Sequence, residues 1–103
     1  MQFEYQDLVN KIEQWAVDRN LIEGSDSFRQ YNKLEEEANE LLVGLMAKDM
    51  DEVSDAIGDM FVVLTIIAKQ NGLMIGNCIE GAYNEIKDRK GKMVNGIFVK
   101  EAA

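Results

Sequence analysis

The chain of 103 residues contains no proline, no histidine and a single cysteine, Cys78. Without histidine, and with only one thiol, a single chain cannot build the usual zinc sites, Ser-His-Asp triads or Cys-His dyads. Any catalysis must therefore rely on carboxylates, lysine, arginine, tyrosine or a bound metal ion. An intrachain disulfide is also excluded, which is compatible with a reducing compartment. The absence of proline favours long, uninterrupted helices.

Long apolar runs and a net positive charge are missing as well. No stretch approaches the roughly 20 apolar residues of a membrane-spanning helix, and the first residues lack the basic and apolar regions of a signal peptide. The formal net charge of -8 argues against binding to nucleic acid polymers or anionic membranes. We therefore expect a cytoplasmic protein. A small anionic substrate stays compatible with this charge if metal ions and a local basic patch offset it.

What the sequence does contain is typical of one globular domain. Hydrophobic residues make up 47% and charged residues 29% of the chain, a balance that separates it from disordered proteins. A length of 103 residues fits one domain with a small core. We see no linker, internal repeat or low-complexity tract, so residues 1–103 are expected to form a single domain.

Apolar residues recur with helical spacing in four segments. The predicted helices run from Tyr5 to about Arg19, from Ser27 to about Ala47, from about Asp49 or Met50 to Gln70, and from about Ile75 to Lys90. A short connection near Lys48 would fold the second and third helices antiparallel. The expected fold class is therefore all-α, a four-helix chain with a central antiparallel helix hairpin.

Turn and cap residues separate these segments. Ser25, Asp26 or Ser27 is expected to cap the second helix, and the dipeptide at 71–72, Asn-Gly, ends the third. A second Asn-Gly dipeptide, at 95–96, lies between apolar residues and predicts a β-hairpin turn.

The run Phe61–Ala68 is apolar on almost every side of the predicted third helix. Such a helix must be covered on every side, and one small chain cannot easily supply that cover. The run therefore predicts a homo-oligomer with this segment in the interface.

Two pairs of acidic residues lie on the central helices: Glu37 with Glu40, and Glu52 with Asp55. Residues three apart share one helix face, and reflection of the hairpin about Met46 sets Glu40 against Glu52 and Glu37 against Asp55. Facing carboxylates repel one another unless cations lie between them. Because oxygen-only ligands select hard ions, the expected cofactor is Mg²⁺, or Mn²⁺. The ordinary alternative is a solvated acidic face.

The segments KLEEEANEL and EVSDAIGD resemble the signature of the MazG-like nucleotide pyrophosphohydrolases, the all-α NTP pyrophosphatase superfamily. The signature E-E-x-x-E is matched by Glu36, Glu37 and Glu40, and the later E-x-x-D by Glu52 and Asp55. The carboxy-terminal EIKDRKGKMVNGIFVK extends the likeness. The resemblance implies Mg²⁺-dependent hydrolysis of a (deoxy)nucleoside triphosphate to the monophosphate and pyrophosphate. It also implies assembly as dimers or tetramers, in which the paired helices of two subunits form a four-helix bundle. Phosphoribosyl-ATP pyrophosphohydrolases share the superfamily, although the carboxy-terminal block looks more like the MazG-type enzymes.

Residues near the signature are candidates for catalysis and phosphate binding. Glu36 could act as general base for the attacking water or support a metal ligand, and an ordinary solvated glutamate is the alternative. The same reflection sets Lys33 against Asp59, so Asp59 either forms an ion pair with Lys33 or has a role in the metal or substrate site. Lys33 could instead reach a phosphate. Gln30 lies one turn earlier on the same face and is a further candidate for substrate binding.

The remaining candidates for substrate binding are distant in the sequence. Basic residues cluster at the end of the fourth helix, namely Lys87, Arg89, Lys90 and Lys92. They complement the helix dipole, and the resemblance favours Lys87 and Arg89 as ligands of the triphosphate tail. Asn84 could bind the sugar or base. Trp15 either packs in the core or stacks on a nucleobase. A non-enzymatic acidic helical module that binds a partner through the third helix is the competing hypothesis.

Overall fold

The computed structural model describes residues 4–101. It contains four helices and one β-hairpin: α1 (Tyr5–Asp18), α2 (Ser27–Ala47), α3 (Met50–Gln70), α4 (Ile75–Ile86), β1 (Gly91–Val94) and β2 (Ile97–Lys100). Helices α2 and α3 pack against each other as the central hairpin, and α1 packs on α3. The predicted all-α fold with a central helix hairpin is confirmed. Within residues 4–101, no single helix is both long and apolar enough to cross a membrane, and only the pair α3 and α4, bent by 104°, passes by length and composition.

Side-chain caps define the ends of the central hairpin. The Asp26 carboxylate accepts a hydrogen bond of 2.8 Å from the Arg29 N–H, so Asp26 is the N-cap of α2. The Asp49 carboxylate accepts one of 3.2 Å from the Glu52 N–H and caps α3. Between them Lys48 takes a left-handed conformation, with φ of 55°, which reverses the chain. The predicted bounds of both helices are confirmed.

Helix α3 ends at the Asn-Gly dipeptide, as predicted. Gly72 has a φ of +70°, a conformation that glycine adopts without a Cβ clash. Its N–H donates to the Lys69 carbonyl at 3.1 Å, and the Leu73 N–H donates to the Ala68 carbonyl at 2.9 Å. These two bonds are those of a Schellman motif. The motif turns the chain sharply before α4 begins.

Helix α4 ends at Ile86, four residues before the predicted end at Lys90. The chain leaves the helix early because Lys90 already belongs to the pairing of the hairpin, where its carbonyl accepts a hydrogen bond of 2.7 Å from the Glu101 N–H. The hairpin turn itself is confirmed. Asn95 and Gly96 both have positive φ, at 51° and 81°, as a two-residue turn of type I′ requires.

The buried core is small and centres on α3. Its buried apolar residues are Val9, Ala16, Ala56, Val63, Ile66, Ala68 and Ile75. Thr65 is fully buried, and its hydroxyl donates to the Phe61 carbonyl at 2.8 Å. In the run Phe61–Ala68 only Leu64 is exposed. Helices α1 and α2 of the same chain thus cover part of this run, while Phe61, Val62 and Ile67 are half-buried. An interface between copies at this segment stays a prediction.

Apolar surface is exposed in two other places. The first is the outer end of the central hairpin, where the side chains that are at least half exposed include Leu42, Leu45, Met46, Met50 and Ile57. We call these five residues the hairpin patch. The second is formed by α4 and the β-hairpin, Ile75–Lys100, which we call the carboxy-terminal arm. The radius of gyration of 16.2 Å exceeds the roughly 13 Å of a compact chain of this length, as a projecting arm requires.

Candidate metal and nucleotide site

The register of the central hairpin is set by a close approach at Gly44. A Cβ atom at this position would lie 3.1 Å from Cγ of Glu52 and 3.2 Å from Cγ2 of Val53, so a side chain would hold the helices apart. Gly44, and not Glu40, therefore faces Glu52. The register predicted by reflection about Met46 is wrong by four residues, about one helical turn.

In the observed register, carboxylate oxygens of Glu37, Glu40 and Asp59 lie within 4.8 Å of one another. We call these three residues the carboxylate cluster. Glu37 is buried, with 4% of its surface exposed, whereas Glu40 and Asp59 are exposed. The Oε1 atom of Glu37 lies 3.4 Å from Nζ of Lys33. Its Oε2 atom has no hydrogen-bond partner among the described residues.

The three carboxylates of the cluster have one basic side chain, Lys33, paired with them through Glu37. Lys33 is shared, since its Nζ also lies 3.3 Å from Oε2 of Glu36. The hydrogen bonds to Glu36 and Glu37 raise the pKa of Lys33 above its ordinary value. A buried oxygen without a donor costs about 1–3 kcal/mol, and the neighbouring carboxylates add repulsion. A divalent cation would relieve both, and a set of donors made only of oxygen suits Mg²⁺ or Mn²⁺.

Glu52 and Asp55 lie outside the carboxylate cluster. Glu52 is half-buried against Gly44, and Asp55 is exposed on α3. Within the described chain, Glu37, Glu40 and Asp59 are the one group of three such side chains close enough to share an ion. Of the two predicted pairs, Glu37 and Glu40 lie in the carboxylate cluster, and the third member of the cluster is Asp59. A ligand role for Glu52 and Asp55 stays a prediction.

Asp59 could have been found from the sequence only in part. It lies one turn beyond Asp55, so both occupy a similar face of α3. Asp59, rather than Asp55, lies beside Glu37 in the helix register that has Gly44 against Glu52. No local sequence pattern predicts this register. Lys33, predicted to face Asp59, pairs instead with Glu36 and Glu37 on its own helix.

A cavity of about 460 Å³ borders the carboxylate cluster. Its wall joins polar and apolar side chains: Trp15, Leu21, Gln30, Lys33, Glu37, Asp59, Val62, Val63 and Ile66. Three predicted substrate-binding residues, Trp15, Gln30 and Lys33, thus meet at one cavity. Aromatic and aliphatic walls next to a cation site suit a ligand with a flat apolar part and an anionic part.

Trp15 is not a core residue, because 43% of its surface is exposed. The guanidinium of Arg19 stacks over its ring, 4.5 Å from the centroid, and donates to the Trp15 carbonyl at 3.3 Å. The sequence analysis did not single out Arg19, although its spacing of four from Trp15 is the signal for such a pair. Gln30 is held at the cavity by a bond of 3.2 Å from its amide to the Ser25 hydroxyl.

The carboxy-terminal candidates do not reach this cavity. Asn84, Lys87, Arg89 and Lys90 are all exposed on or after α4, and none of them contributes to its wall. Lys90 instead borders a separate groove together with Lys92 and Lys100. Within one chain, Trp15, Gln30 and Lys33 therefore share one cavity, and the predicted binding residues of the carboxy-terminal segment lie outside it.

Comparison with known proteins identifies the family. Residues 7–95 match the family described as phosphoribosyl-ATP pyrophosphohydrolase. An uncharacterized 18.2 kDa protein in the rep-hol intergenic region of Haemophilus phage HP1 (strain HP1c1) is 50% identical over 68 residues, which cover 66% of this chain and 42% of that protein. The chain thus matches less than half the length of that relative. No solved structure matches.

The family match agrees with the carboxylate cluster and with the resemblance seen in the sequence. The chain belongs to the phosphoribosyl-ATP pyrophosphohydrolase family, within the MazG-like all-α NTP pyrophosphatase superfamily.

Proposed function

We propose that this protein is a Mg²⁺-dependent pyrophosphohydrolase that converts a (deoxy)nucleoside triphosphate to the monophosphate and pyrophosphate, as nucleotide-pool house-cleaning requires. The observation that carries the proposal is the buried Oε2 atom of Glu37, which has no partner among the described residues and lies in the carboxylate cluster. Mn²⁺ would serve in place of Mg²⁺, because both accept oxygen ligands.

Glu37, Glu40 and Asp59 are the residues that would hold the metal, with Glu52 and Asp55 as predicted further ligands. When bound, the ion neutralises phosphate charge and makes a coordinated water more acidic. Glu36 is exposed and forms an ion pair with Lys33, and we propose that its carboxylate accepts a proton from the attacking water. Proton acceptance by a positioned carboxylate is general-base catalysis.

The cavity supports separate roles for its own residues. Trp15 offers an exposed aromatic face for a nucleobase. Lys33 is half-exposed, with its ammonium beside Glu37, and is placed to bind a phosphate near the metal. Gln30 supplies an amide that can read the sugar or base. Water is partly excluded by the apolar wall, which strengthens these electrostatic contacts.

Two substrate classes compete for this site. The family description favours phosphoribosyl-ATP, whereas the carboxy-terminal block of the sequence favours nucleoside triphosphates. Both substrates would be cleaved between the α and β phosphates, so the same carboxylate cluster would serve either reaction. We propose the nucleoside triphosphate.

The test is to incubate the purified protein and Mg²⁺ with a panel of NTPs, dNTPs and phosphoribosyl-ATP. We expect pyrophosphate and a monophosphate from at least one triphosphate, with faster turnover than on phosphoribosyl-ATP, and loss of activity on chelation. Release of orthophosphate alone, or no product at all, would contradict the proposal. Faster turnover of phosphoribosyl-ATP would keep the chemistry and change the substrate.

A non-enzymatic acidic interaction module remains the competing function. It predicts that Mg²⁺ and nucleotide leave the melting temperature unchanged. The proposed enzyme predicts a rise, because a ligand that binds only the folded state stabilises it by mass action. A thermal-shift titration with a non-hydrolysable nucleotide separates the two without any need for turnover.

We further propose that the protein acts in the cytoplasm as a homo-oligomer, a dimer or a tetramer. Support for an oligomer comes from the hairpin patch, in addition to the prediction made for the run Phe61–Ala68. The five side chains of the patch are 52–77% exposed, and adjoining apolar side chains on one end of a hairpin are typical of an interface. A second hairpin packed there would form the four-helix bundle.

A further inference from the structure

The side chain of Gln30 borders the cavity with one end of its amide already engaged. Its Nε2 atom donates to the Ser25 hydroxyl at 3.2 Å, whereas its Oε1 atom accepts no hydrogen bond from the described residues. The Oε1 atom is also open to solvent, because among the described residues the one fully buried and unpartnered side-chain atom is Oε2 of Glu37. The part of the Gln30 amide that is left for a ligand is therefore its hydrogen-bond acceptor.

Ser25 is held in place because its loop is bonded to the end of α3. The Gln70 amide donates to the Leu21 carbonyl at 3.0 Å and accepts a bond of 2.9 Å from the Ser27 hydroxyl. Leu21 precedes Ser25 in the chain and Ser27 follows it, so both sides of Ser25 are attached to the same side chain. A hydroxyl group positioned in this way also sets which end of the Gln30 amide meets the cavity.

Trp15 provides the cavity with an aromatic face on which a base can stack. The Arg19 guanidinium lies 4.5 Å from the ring centroid, yet Arg19 is not among the described residues that form the cavity wall. Its guanidinium therefore covers the face of the ring that is turned away from the cavity, and the other face stays available. The indole N–H lies in the plane of the ring and points past a base that stacks on this face.

Away from the carboxylate cluster, the cavity wall offers few hydrogen-bond donors. The ammonium of Lys33 lies beside Glu37, where a phosphate would bind. The backbone of Leu21 is also engaged, because its N–H donates to the Ala16 carbonyl at 2.9 Å and its carbonyl accepts from Gln70. A carbonyl group on the edge of a bound base would thus lose its bonds to water without replacement, which is costly. An amino group there would meet Oε1 of Gln30.

We propose that Gln30 selects nucleotides whose base carries an exocyclic amino group, adenine or cytosine, over bases with a carbonyl at the same position, hypoxanthine, uracil or thymine. Oε1 would accept a hydrogen bond from the amino group, and Ser25 is the positioning residue that keeps Oε1 towards the base. The inference rests on the proposed function and deepens it, since it names the base that the same site takes. One hydrogen bond gained against one unpaired carbonyl predicts a preference of about ten-fold.

The experiment measures the fluorescence of Trp15, the single tryptophan of the chain. A base stacked on its ring should quench the emission, so a titration follows binding in this cavity without turnover. The probes are α,β-methylene triphosphates of adenosine, inosine, cytidine and uridine with Mg²⁺, in the ribose and the deoxyribose series, because these compounds resist cleavage between the α and β phosphates. The adenosine and cytidine compounds should bind about ten-fold more tightly than the inosine and uridine compounds. Equal affinities, the opposite preference, or no quenching in either series would overturn the inference.

Two substitutions at Gln30 test whether its acceptor causes the preference. Gln30→Leu removes the acceptor and should abolish the preference by weakening the adenosine and cytidine compounds. Gln30→Glu is the matched control, since it keeps an acceptor that the Ser25 hydroxyl can still bond. Its added negative charge should weaken all the nucleotides and leave the ratio between amino and carbonyl bases in place. A wild-type ratio in Gln30→Leu would overturn the inference.

Two substitutions at Ser25 test how the Gln30 amide is oriented. Ser25→Ala frees the amide to turn its Nε2 atom towards the base, so the inosine and uridine compounds should bind more tightly and the preference should fall. Ser25→Thr keeps the hydroxyl and should keep the preference. A purely structural role of Ser25 would weaken all the nucleotides equally and leave the ratio unchanged, and that result would overturn the assignment of Ser25.

Failure of the base selection and failure of the proposed activity give different results. A preference for the adenosine and cytidine compounds in the fluorescence titration, without release of pyrophosphate from any triphosphate, would refute only the proposed activity. Release of pyrophosphate together with equal binding of amino and carbonyl bases would overturn the base selection and leave the proposed function intact.

Discussion

At the scale of single residues, Glu37 differs most from what its neighbours in the sequence suggest. Glu35, Glu36 and Glu37 are consecutive and chemically identical, yet the first two are exposed and Glu37 is buried. Its unpartnered Oε2 and the nearby oxygens of Glu40 and Asp59 raise the energy of the metal-free protein. A bound metal ion would remove this repulsion between the carboxylates, and this gain would contribute to the free energy of metal binding.

Glu37→Gln should therefore stabilise the metal-free protein and abolish metal binding. Removing one of three close carboxylates should raise the free energy of unfolding by about 1 kcal/mol in chelator. The rise in melting temperature on addition of Mg²⁺ should disappear. Glu36→Gln is the control, because Glu36 is exposed and should leave the metal response in place. A Glu37→Gln variant that still binds Mn²⁺ in calorimetry would remove Glu37 from the site.

Lys33 acts as the internal counter-ion of the cluster, 3.4 Å from Glu37. Because its ammonium competes with a metal ion for this carboxylate, Lys33→Met should bind Mn²⁺ alone more tightly than the wild type does. It should also bind a non-hydrolysable nucleotide several-fold more weakly, since a phosphate ligand is lost. Lys11→Met, an equal charge change on α1, should alter neither value in calorimetry. Weaker Mn²⁺ binding by Lys33→Met would show that Lys33 supports the metal site.

At the scale of elements, the contact between α2 and α3 decides which residues form the site. Gly44 is buried against Glu52 and Val53, whereas Gly58 on α3 has open space where a Cβ would lie. Both glycines are inside helices, where alanine is favoured by up to about 1 kcal/mol. Alanine at Gly58 therefore tests helix propensity alone, whereas alanine at Gly44 tests propensity together with the packing of α2 on α3.

Gly58→Ala should raise the free energy of unfolding by about 0.5–1 kcal/mol, because only the propensity changes. Gly44→Ala should lower it, since the atoms that a Cβ meets are close to the backbone of α3 and cannot move without separating the helices. Urea unfolding monitored by circular dichroism measures both. Equal stabilisation by the two substitutions would show that Gly44 does not set the helix distance.

At the scale of the whole molecule, the described chain has a small buried core and many exposed apolar side chains. The hairpin patch and the arm together leave many large side chains in water, while seven apolar residues are buried among residues 4–101. A small domain of this kind is marginally stable by itself. Association would therefore contribute directly to the stability of the fold.

The wild-type melting temperature should accordingly rise with protein concentration. Met46→Glu, at a site that is 77% exposed in the single chain, should remove this dependence and lower the molar mass. Val17→Glu on α1, also exposed but outside the hairpin patch, is the control and should keep both properties. Differential scanning fluorimetry over a hundred-fold range of concentration provides the measurement. A concentration-independent wild type would contradict the oligomer.

Much of the structure followed from local sequence signals. The bounds of α2 and α3, the cap at Asp26 and the turn at Asn95-Gly96 were predictable, because each depends on residues close in the chain. The end of α4 was predicted four residues too late. The Lys90 carbonyl accepts a backbone hydrogen bond from Glu101, and helix periodicity does not predict this contact between distant residues.

The sequence by itself determined the kinds of side chain available and the family: carboxylates on two helices, no histidine, and the signature of the family to which the chain belongs. Only the tertiary structure decided that Asp59 lies beside Glu37 and Glu40, that α1 and α2 cover part of the run Phe61–Ala68, and that the basic arm does not reach the cavity. The physical reason is that helix register and helix direction depend on contacts between distant residues. At Gly44 the missing Cβ allows α2 to approach Glu52 and Val53 of α3 closely, in a register four residues from the one that the sequence predicts.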